Sequence, residues 1–347
     1  ATILAGVRHG LTTGAPIAVQ IANTEWPKWR VVMSADPVDP AELLKDAGTG
    51  DEREIARNRP LTRPRPGHAD LPGMLSYDLA EARPVLERAS ARETAARVAL
   101  GALAEALLDQ VAGIRLVSHV VAVGAQRAST STIPTPADEE ALCAASMRTL
   151  DLADNARFEA AVDEAKHSGD TIGGVVEIIA YGVPVGLGTH VSARERLDAR
   201  LAGALMSIQS VKGVEIGDGF AQAALLGSAA HDEIVRGEDG HLTRTTNHAG
   251  GIEGGTSNGA PIVARAGFKP ISTVPRALRS VDLATGEEAV GLHQRSDTCQ
   301  VVPGAVIAEA EVALVLADAL FDHAGGRSVA EMRRNLDSYL QVVGERA

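Results

Sequence analysis

Residues 246–259 hold the densest set of side chains able to bind or react. Asn247, His248, Glu253, Ser257 and Asn258 stand among five glycines in the run TTNHAGGIEGGTSNGAP, which begins at Thr245. Glycine lets the backbone take positive φ and approach a ligand with no Cβ in the way. The segment therefore reads as a binding loop whose backbone meets something flat or anionic. An ordinary surface loop has the same glycine content and stays open as an alternative. No Gly-Lys-Ser/Thr closes the run, so it is not a phosphate-binding P-loop, and its spacing fails the dinucleotide fingerprint.

Basic residues collect in a few places. Arg63-Pro64-Arg65-Pro66-Gly67-His68-Ala69-Asp70 puts prolines on alternate positions, which holds the chain extended and projects its arginines with little entropy left to lose. Arg88-Ala89-Ser90-Ala91-Arg92-Glu93 precedes an apolar periodicity at Ala95, Val98, Ala99, Ala102, Leu103, Ala106 and Leu107. Ser90 with Glu93 reads as a capping box, so a helix is expected to start there. Arg88 and Arg92 then flank a helix N-terminus, where a cation is misplaced unless an anion joins it. That is the strongest local argument for a phosphate or carboxylate site. Lys269-Pro270-Ile271-Ser272-Thr273 offers another cation with two hydroxyls, and His293-Gln294-Arg295-Ser296-Asp297 joins an imidazole, a cation and an acid. Asp beside Arg is commonly a structural ion pair; the functional reading is a carboxylate poised as a base.

The elements that must position these groups alternate. Strands are expected at Thr2–Ala5, around Ile17–Ile21, at 114–123, 174–179, 211–216 and 262–266, with a hairpin turning at Thr285-Gly286. Helices are expected from Ser90, over 150–167 and 197–208 (with Gln209-Ser210 at the end), 302–320 and 329–343. Residues 22–67 read mainly as connection. The alternation predicts an α/β, layered sheet-and-helix fold in one domain spanning 1–347, with no convincing linker.

Composition narrows the class. The 347 residues are 45% hydrophobic but only 3% aromatic, so the core must be built from Ala, Val, Leu and Ile. A net charge of −12 argues against a nucleic-acid surface, which makes the local arginine clusters informative. No apolar run reaches the length of a membrane span. Cys143 and Cys299 are far apart and form no CxxC, so neither a disulfide scaffold nor a metal site is expected. A cytoplasmic setting follows as an expectation. The chain opens inside a strand with no initiator Met, so residues are expected to precede Ala1.

Several of these segments together resemble the chorismate synthase family: RPGHAD (65–70), RASARETA (88–95), DTIGGVVE (170–177), KGVEIGDGF (212–220), TNHAGGIEGGTSNG (246–259), KPISTVP (269–275) and QRSD (294–297). They occur in the family's order over nearly the whole chain. The resemblance implies a homotetramer of β-α-β sandwich subunits and a carbon-oxygen lyase acting on a phosphate. Its substrate would be 5-enolpyruvylshikimate 3-phosphate, which loses phosphate from C3 and a hydrogen from C6 to give chorismate. Reduced FMN is required without net redox change, and NADPH is implied as an indirect reductant. Carried over by position, Arg88, Ala89, Ser90, Gln209, Ser210, Gly254, Lys269, Pro270, Ile271, Ser272, Thr273 and Arg295 would bind FMN. Arg65 and Arg92 would hold the substrate, His68 would protonate or hydrogen-bond the reduced flavin, and Asp297 with flavin N5 would remove the C6 hydrogen.

The family's leading Gly-Glu-Ser-His-Gly motif has no counterpart here. Arg8-His9-Gly10 fits a later Arg-His-Gly turn of the family, so His9 is not taken as the missing acid. A front segment lying outside this chain is expected rather than a real loss. The alternatives are a subunit that binds FMN or phosphate without turnover and a bifunctional enzyme that reduces its own flavin. These residues show no reductase domain, and an external source of reduced flavin is the expectation.

Overall fold

The computed structural model describes residues 1–43, 58–129, 133–238, 240–292 and 296–346. The chain divides into two compact units, Ala91–Pro275 with Arg295–Ala347, and Ala1–Ser90 with Arg276–Gln294. Each has its own core.

The larger unit is built on a five-stranded sheet. Its strands are β1 (Arg115–Val123), β2 (Gln126–Arg127), β3 (Gly174–Tyr181), β4 (Val211–Ile216) and β5 (Ile262–Phe268). They lie in the order β2-β1-β3-β5-β4, and every pairing is antiparallel. Register puts Ile178 opposite both Ser118 and Ala264, so one face carries Leu116, Val120, Val176, Ile178, Ala180, Ile262, Ala264, Ala266 and Phe268 into the main core. The other face carries a buried polar row. His119 Nε2 lies 2.9 Å from Glu177 Oε1, and Arg265 Nε donates to Glu177 Oε2 at 2.6 Å, each on a neighbouring strand.

Among the described residues this unit has five helices of ten or more residues: α1 (Thr94–Ala112), α2 (Leu152–His167), α3 (Leu197–Met206), α4 (Val301–Ala324) and α5 (Val329–Arg346). Asp151 caps α2, accepting from the backbone N–H groups of Ala153 and Asp154 at 2.8 and 3.0 Å. The central α4 buries residues all round its barrel, from Ala305 and Ala308 through Val312, Ala313 and Leu316 to Leu320. A helix apolar on every side belongs inside a protein. Here α4 packs against the sheet, α1 and α3. Small residues permit this: Gly304 lies against the ring of Phe268, and Gly101 of α1 lies directly against Ala310 of α4. The aliphatic composition thus becomes a close-packed alanine-rich joint.

The smaller unit has short elements around Leu61, Met74, Ala82 and Leu86. Its N-terminal strands pair as hairpins, Thr2–Ala5 with Ala18–Gln20 and Val7–Arg8 with Leu11–Thr12. The expected hairpin at Thr285-Gly286 forms between Arg279–Val281 and Glu288–Val290. It braces the proline-rich stretch: Leu283 and Leu292 N–H donate to the Thr62 and Arg63 carbonyls, and Ser280 Oγ donates to the Pro64 carbonyl. Two short helices, Asp70–Ser76 and Arg83–Arg88, were not apparent from the sequence pattern. Arg83 is buried there with its guanidinium 5.7 Å from the Trp29 ring.

The Gly101 contact gives a test with an unusual sign. Glycine to alanine inside a helix ordinarily stabilises by about 1 kcal/mol. Here the added methyl overlaps the Ala310 Cβ, and overpacking costs about 1–3 kcal/mol. Gly101→Ala is therefore expected to lower the denaturation midpoint of the chain. A raised midpoint would show that α1 and α4 are not packed this tightly.

Candidate functional site

In the larger unit, several of the expected ligand residues come together at the ends of β4 and β5. The backbone N–H of Lys269 donates to the Ser210 carbonyl at 2.9 Å, which sets residues 269–273 beside the Gln209-Ser210 pair. Ser210 sits at φ +73°, a left-handed conformation rare for a residue with a Cβ. Strained positions of that kind persist where the surroundings over-determine them, and they concentrate at ligand sites.

Two further elements clamp the 269–273 segment. Thr171 Oγ1 donates to the Ile271 carbonyl at 2.8 Å, and Gln300 Nε2 donates to the Lys269 carbonyl at 3.3 Å. A Cβ on Gly173 would collide with the Phe268 carbonyl oxygen and lie 2.9 Å from the Lys269 carbonyl carbon, so only glycine lets the two backbones lie together. Burial, followed by the charge on nearby Lys212, lowers the Lys269 ammonium pKa. Two cations held near each other make a place that favours an anion.

Asp297 reaches this neighbourhood through the backbone. Ile172 N–H donates to the Thr298 carbonyl at 3.0 Å, joining the 296–300 segment to the Asp170–Gly173 turn. Asp297 is exposed and lines a groove of about 490 Å3 with Asp163, Lys166, Ser296, Thr298 and Cys299. Arg295 and the rest of His293-Gln294-Arg295 lie outside the described residues.

The helix expected from Ser90 arrives as a 3-10 turn over Ala91–Glu93 followed by α1. Glu93 is the N-cap residue, with no side-chain cap. Its carboxylate instead meets Arg97 Nη2 at 2.8 Å and accepts from Gln209 Nε2 at 2.6 Å. Arg92 is exposed in the 3-10 turn. Arg88 needs a correction to the electrostatic argument. It ends the helix Arg83–Arg88, and the C-terminal end of a helix favours a cation, so Arg88 is not misplaced. Ala89 and Ser90 follow it, half-buried.

The glycine run is packed more tightly on itself than a simple ligand loop requires. Asp232 accepts from Thr246 Oγ1 at 2.5 Å and from the His248 and Ala249 N–H groups at 2.7 and 3.0 Å. His248 Nδ1 lies 2.6 Å from Asp218 Oδ2, and a Cβ on Gly250 would overlap the Gly217 nitrogen. These groups serve the loop's own structure. Gly254 differs. With Gly255 it forms the two-residue turn between the paired strands Ile252–Glu253 and Thr256–Ser257, both glycines at positive φ, and a Cβ on Gly254 would meet nothing closer than 4.0 Å. Its backbone is open to approach.

In the smaller unit, the sequence reading missed Asp70. This fully buried carboxylate accepts from Arg65 Nε at 2.8 Å, Arg65 Nη2 at 3.0 Å and the Arg65 backbone N–H at 3.0 Å. His68 Nδ1 lies 2.5 Å from Asp70 Oδ1 and 3.1 Å from Arg65 Nη2; the carboxylate can only accept, so the proton is assigned to Nδ1, which leaves Nε2 as the acceptor nitrogen. Arg65 is itself buried and turned to Asp70, whereas Arg63 is exposed. The signal available was the spacing of Arg65, His68 and Asp70 in one short turn.

Sheet and helices together define a layered α/β fold. Among the described residues no group of His, Cys, Asp and Glu is arranged to hold a metal ion, and no helix is long and apolar enough to cross a membrane. The family model for chorismate synthase matches residues 1–321. The chorismate synthase of Beutenbergia cavernae is 61% identical over 344 residues, covering 99% of this chain and 85% of that protein. That of Mycolicibacterium vanbaalenii is 57% identical over 345 residues, covering 99% and 83%. A crystal structure of a chorismate synthase superposes with a TM-score of 0.75 at 34% identity, covering 99% of this chain and 84% of that one. The chain belongs to the chorismate synthase family.

The Asp70 cluster predicts an acid-range effect. Burial pushes the Asp70 carboxyl up, but hydrogen bonds from His68 and Arg65 and their charges outweigh it and hold the carboxyl well below the usual range. The folded state then binds fewer protons than the unfolded one in acid, so stability rises with pH there. The contribution is complete above about pH 4 and is lost as pH falls below that. Asp70→Asn is expected to cost about 3 kcal/mol at neutral pH, because Arg65 is left buried without its counter-charge. It should also flatten the acid limb of a stability–pH curve; an unchanged limb would contradict the assignment.

Proposed function

We propose that this chain catalyses the anti-1,4-elimination of phosphate from 5-enolpyruvylshikimate 3-phosphate, giving chorismate, the last common step towards aromatic amino acids. It acts as a carbon-oxygen lyase with reduced FMN bound. The C3–O bond breaks, phosphate departs, and the hydrogen at C6 is lost as the second double bond forms. The observation that carries the reading is the family likeness over 99% of the chain, together with the grouping of Gln209-Ser210 beside residues 269–273.

The residues fit a flavin. Gln209 Oε1 is buried and has no hydrogen-bond partner among the described residues. It suits a ligand edge that presents an N–H, and the Lys269–Lys212 pair suits a phosphate. Gln209, Ser210, Gly254, Lys269, Pro270, Ile271, Ser272 and Thr273 are proposed to hold it, with Arg88, Ala89, Ser90 and Arg295 assigned on the resemblance alone. Reduced flavin held there would supply transient electron density that aids loss of phosphate, with no net redox change.

This chain's own groups bind, orient and move protons. Arg92 and Arg65 are assigned to the anionic substrate. The Arg65 guanidinium is engaged by Asp70, so its assignment rests on the family resemblance. His68, with Nδ1 donating to Asp70, offers Nε2 for a proton or hydrogen bond to the cofactor. Asp297, exposed on its groove, is assigned as the carboxylate at the C6 hydrogen. NADPH is the indirect reductant, and the resemblance supports a cytoplasmic homotetramer. Phe220, Leu226 and Ile234 are more than 60% exposed, as residues in a subunit contact would be in an isolated chain.

Anaerobic incubation with the substrate and chemically reduced FMN is expected to release chorismate and phosphate in equal amounts. Binding of both ligands without chorismate would reject the catalytic reading. Asp297→Asn is expected to cut kcat by about 10²–10⁴-fold while leaving FMN affinity within twofold; unimpaired turnover removes Asp297 from the mechanism. Arg92→Ala should raise KM for the phosphorylated substrate about tenfold, the worth of one charge-assisted hydrogen bond. An unchanged KM takes Arg92 out of the anion site.

A further inference from the structure

We propose that Glu93 is a positioning residue for the flavin pocket, holding the Gln209 amide so that its oxygen, and not its NH2 group, is offered to the ligand. The proposal rests on the flavin reading above and assigns a role to a residue that the family resemblance did not single out.

Ionised Glu93 has only acceptors, so the group of Gln209 that meets it at 2.6 Å is the NH2. Turning the amide over would set two oxygens against each other. The carboxylate is fixed in turn. Arg97, one helical turn on, reaches Glu93 Oε1 with Nη2 at 2.8 Å and Oε2 with Nε at 3.3 Å. Arg97 Nη1 donates to Glu311 Oε1 at 3.0 Å and to Ser207 Oγ at 2.7 Å. Glu311 lies on α4, Glu93 and Arg97 at the start of α1, and Ser207 at the end of α3, two residues before Gln209. The side chain is thus referred to three helices of the core.

The consequence falls on the other end of the amide. Gln209 Oε1 is buried with no partner among the described residues, and leaving an acceptor in that state costs free energy. A bound donor relieves the cost. The oxidised isoalloxazine ring has a single N–H, at N3, so an acceptor fixed in advance selects a flavin by that group. A residue that merely fastened the start of α1 would not affect which ring is preferred. This separates positioning from a structural role.

The test measures Kd for oxidised FMN and for 3-methyl-FMN, which lacks the donor, by flavin fluorescence. Wild type, Glu93→Ala and Glu93→Gln are compared, with thermal unfolding recorded for each. Wild type is expected to bind FMN about tenfold more tightly than the methylated ring. Glu93→Ala should bind FMN about tenfold more weakly and prefer it less than twofold. Glu93→Gln should restore the preference, because its own amide oxygen accepts from Gln209. Equal wild-type affinity for the two rings, or full preference retained in Glu93→Ala, overturns the proposal and leaves the flavin reading standing. Failure of wild type to bind either ring overturns both. If Glu93→Ala does not fold, the wild-type preference and its retention in Glu93→Gln still decide the matter, and loss of either is fatal to it.

Discussion

The grouping of the proposed ligand residues depends on how β4 and β5 end. Their antiparallel pairing runs on past the strands into one backbone hydrogen bond, from Lys269 to Ser210. Both segments are fixed from outside as well: Thr171 and Gln300 hold the carbonyls of Ile271 and Lys269, and Glu93 holds Gln209. A site assembled from short backbone segments is only as well placed as the sheet beneath it. Here the sheet is secured by α4, whose Gly304 and Ala310 permit close approach of Phe268 and Gly101. The alanine-rich composition and the site geometry are linked in this way.

Polar groups inside the larger unit follow the same logic. The His119–Glu177–Arg265 row crosses three strands, and Arg97 bridges Glu93 and Glu311. Each buried charge meets a counter-charge with hydrogen-bond geometry, without which its burial would be prohibitive. Such rows contribute little net stability compared with apolar packing, but they dictate which orientation is allowed.

Much of this was legible in the sequence. The short apolar runs between turns gave β1, β3, β4 and β5, and the helical patterns gave α1 to α5 within a few residues. The hairpin at Thr285-Gly286 was also readable, since its turn chemistry is local. Part of what could not be read depends on partners distant in the chain. The capping-box pattern at Ser90 and Glu93 suggested one use for Glu93, whereas Gln209, 116 residues away, gives it another. Arg88 looked misplaced because the short helix that it ends carries no clear periodicity. The glycine run suggested a ligand loop; its His248 and Thr246 are instead tied to Asp218 and Asp232. Gly254 alone kept an open approach. Asp70 went unassigned because a carboxylate gains meaning only when Arg65 and His68 fold onto it. The ordered motifs carried the functional reading further than any one of them could, since the catalytic assignments came through the resemblance and the geometry then supplied their surroundings.

The central claim is that Gln209-Ser210 and residues 269–273 form one flavin pocket. The most direct measurement is the crystal structure of this chain with oxidised FMN bound. The account predicts flavin density against Gln209, Ser210 and the 269–273 backbone, with Gln209 Oε1 within hydrogen-bond distance of the ring. Flavin bound elsewhere, with that segment untouched, would contradict it.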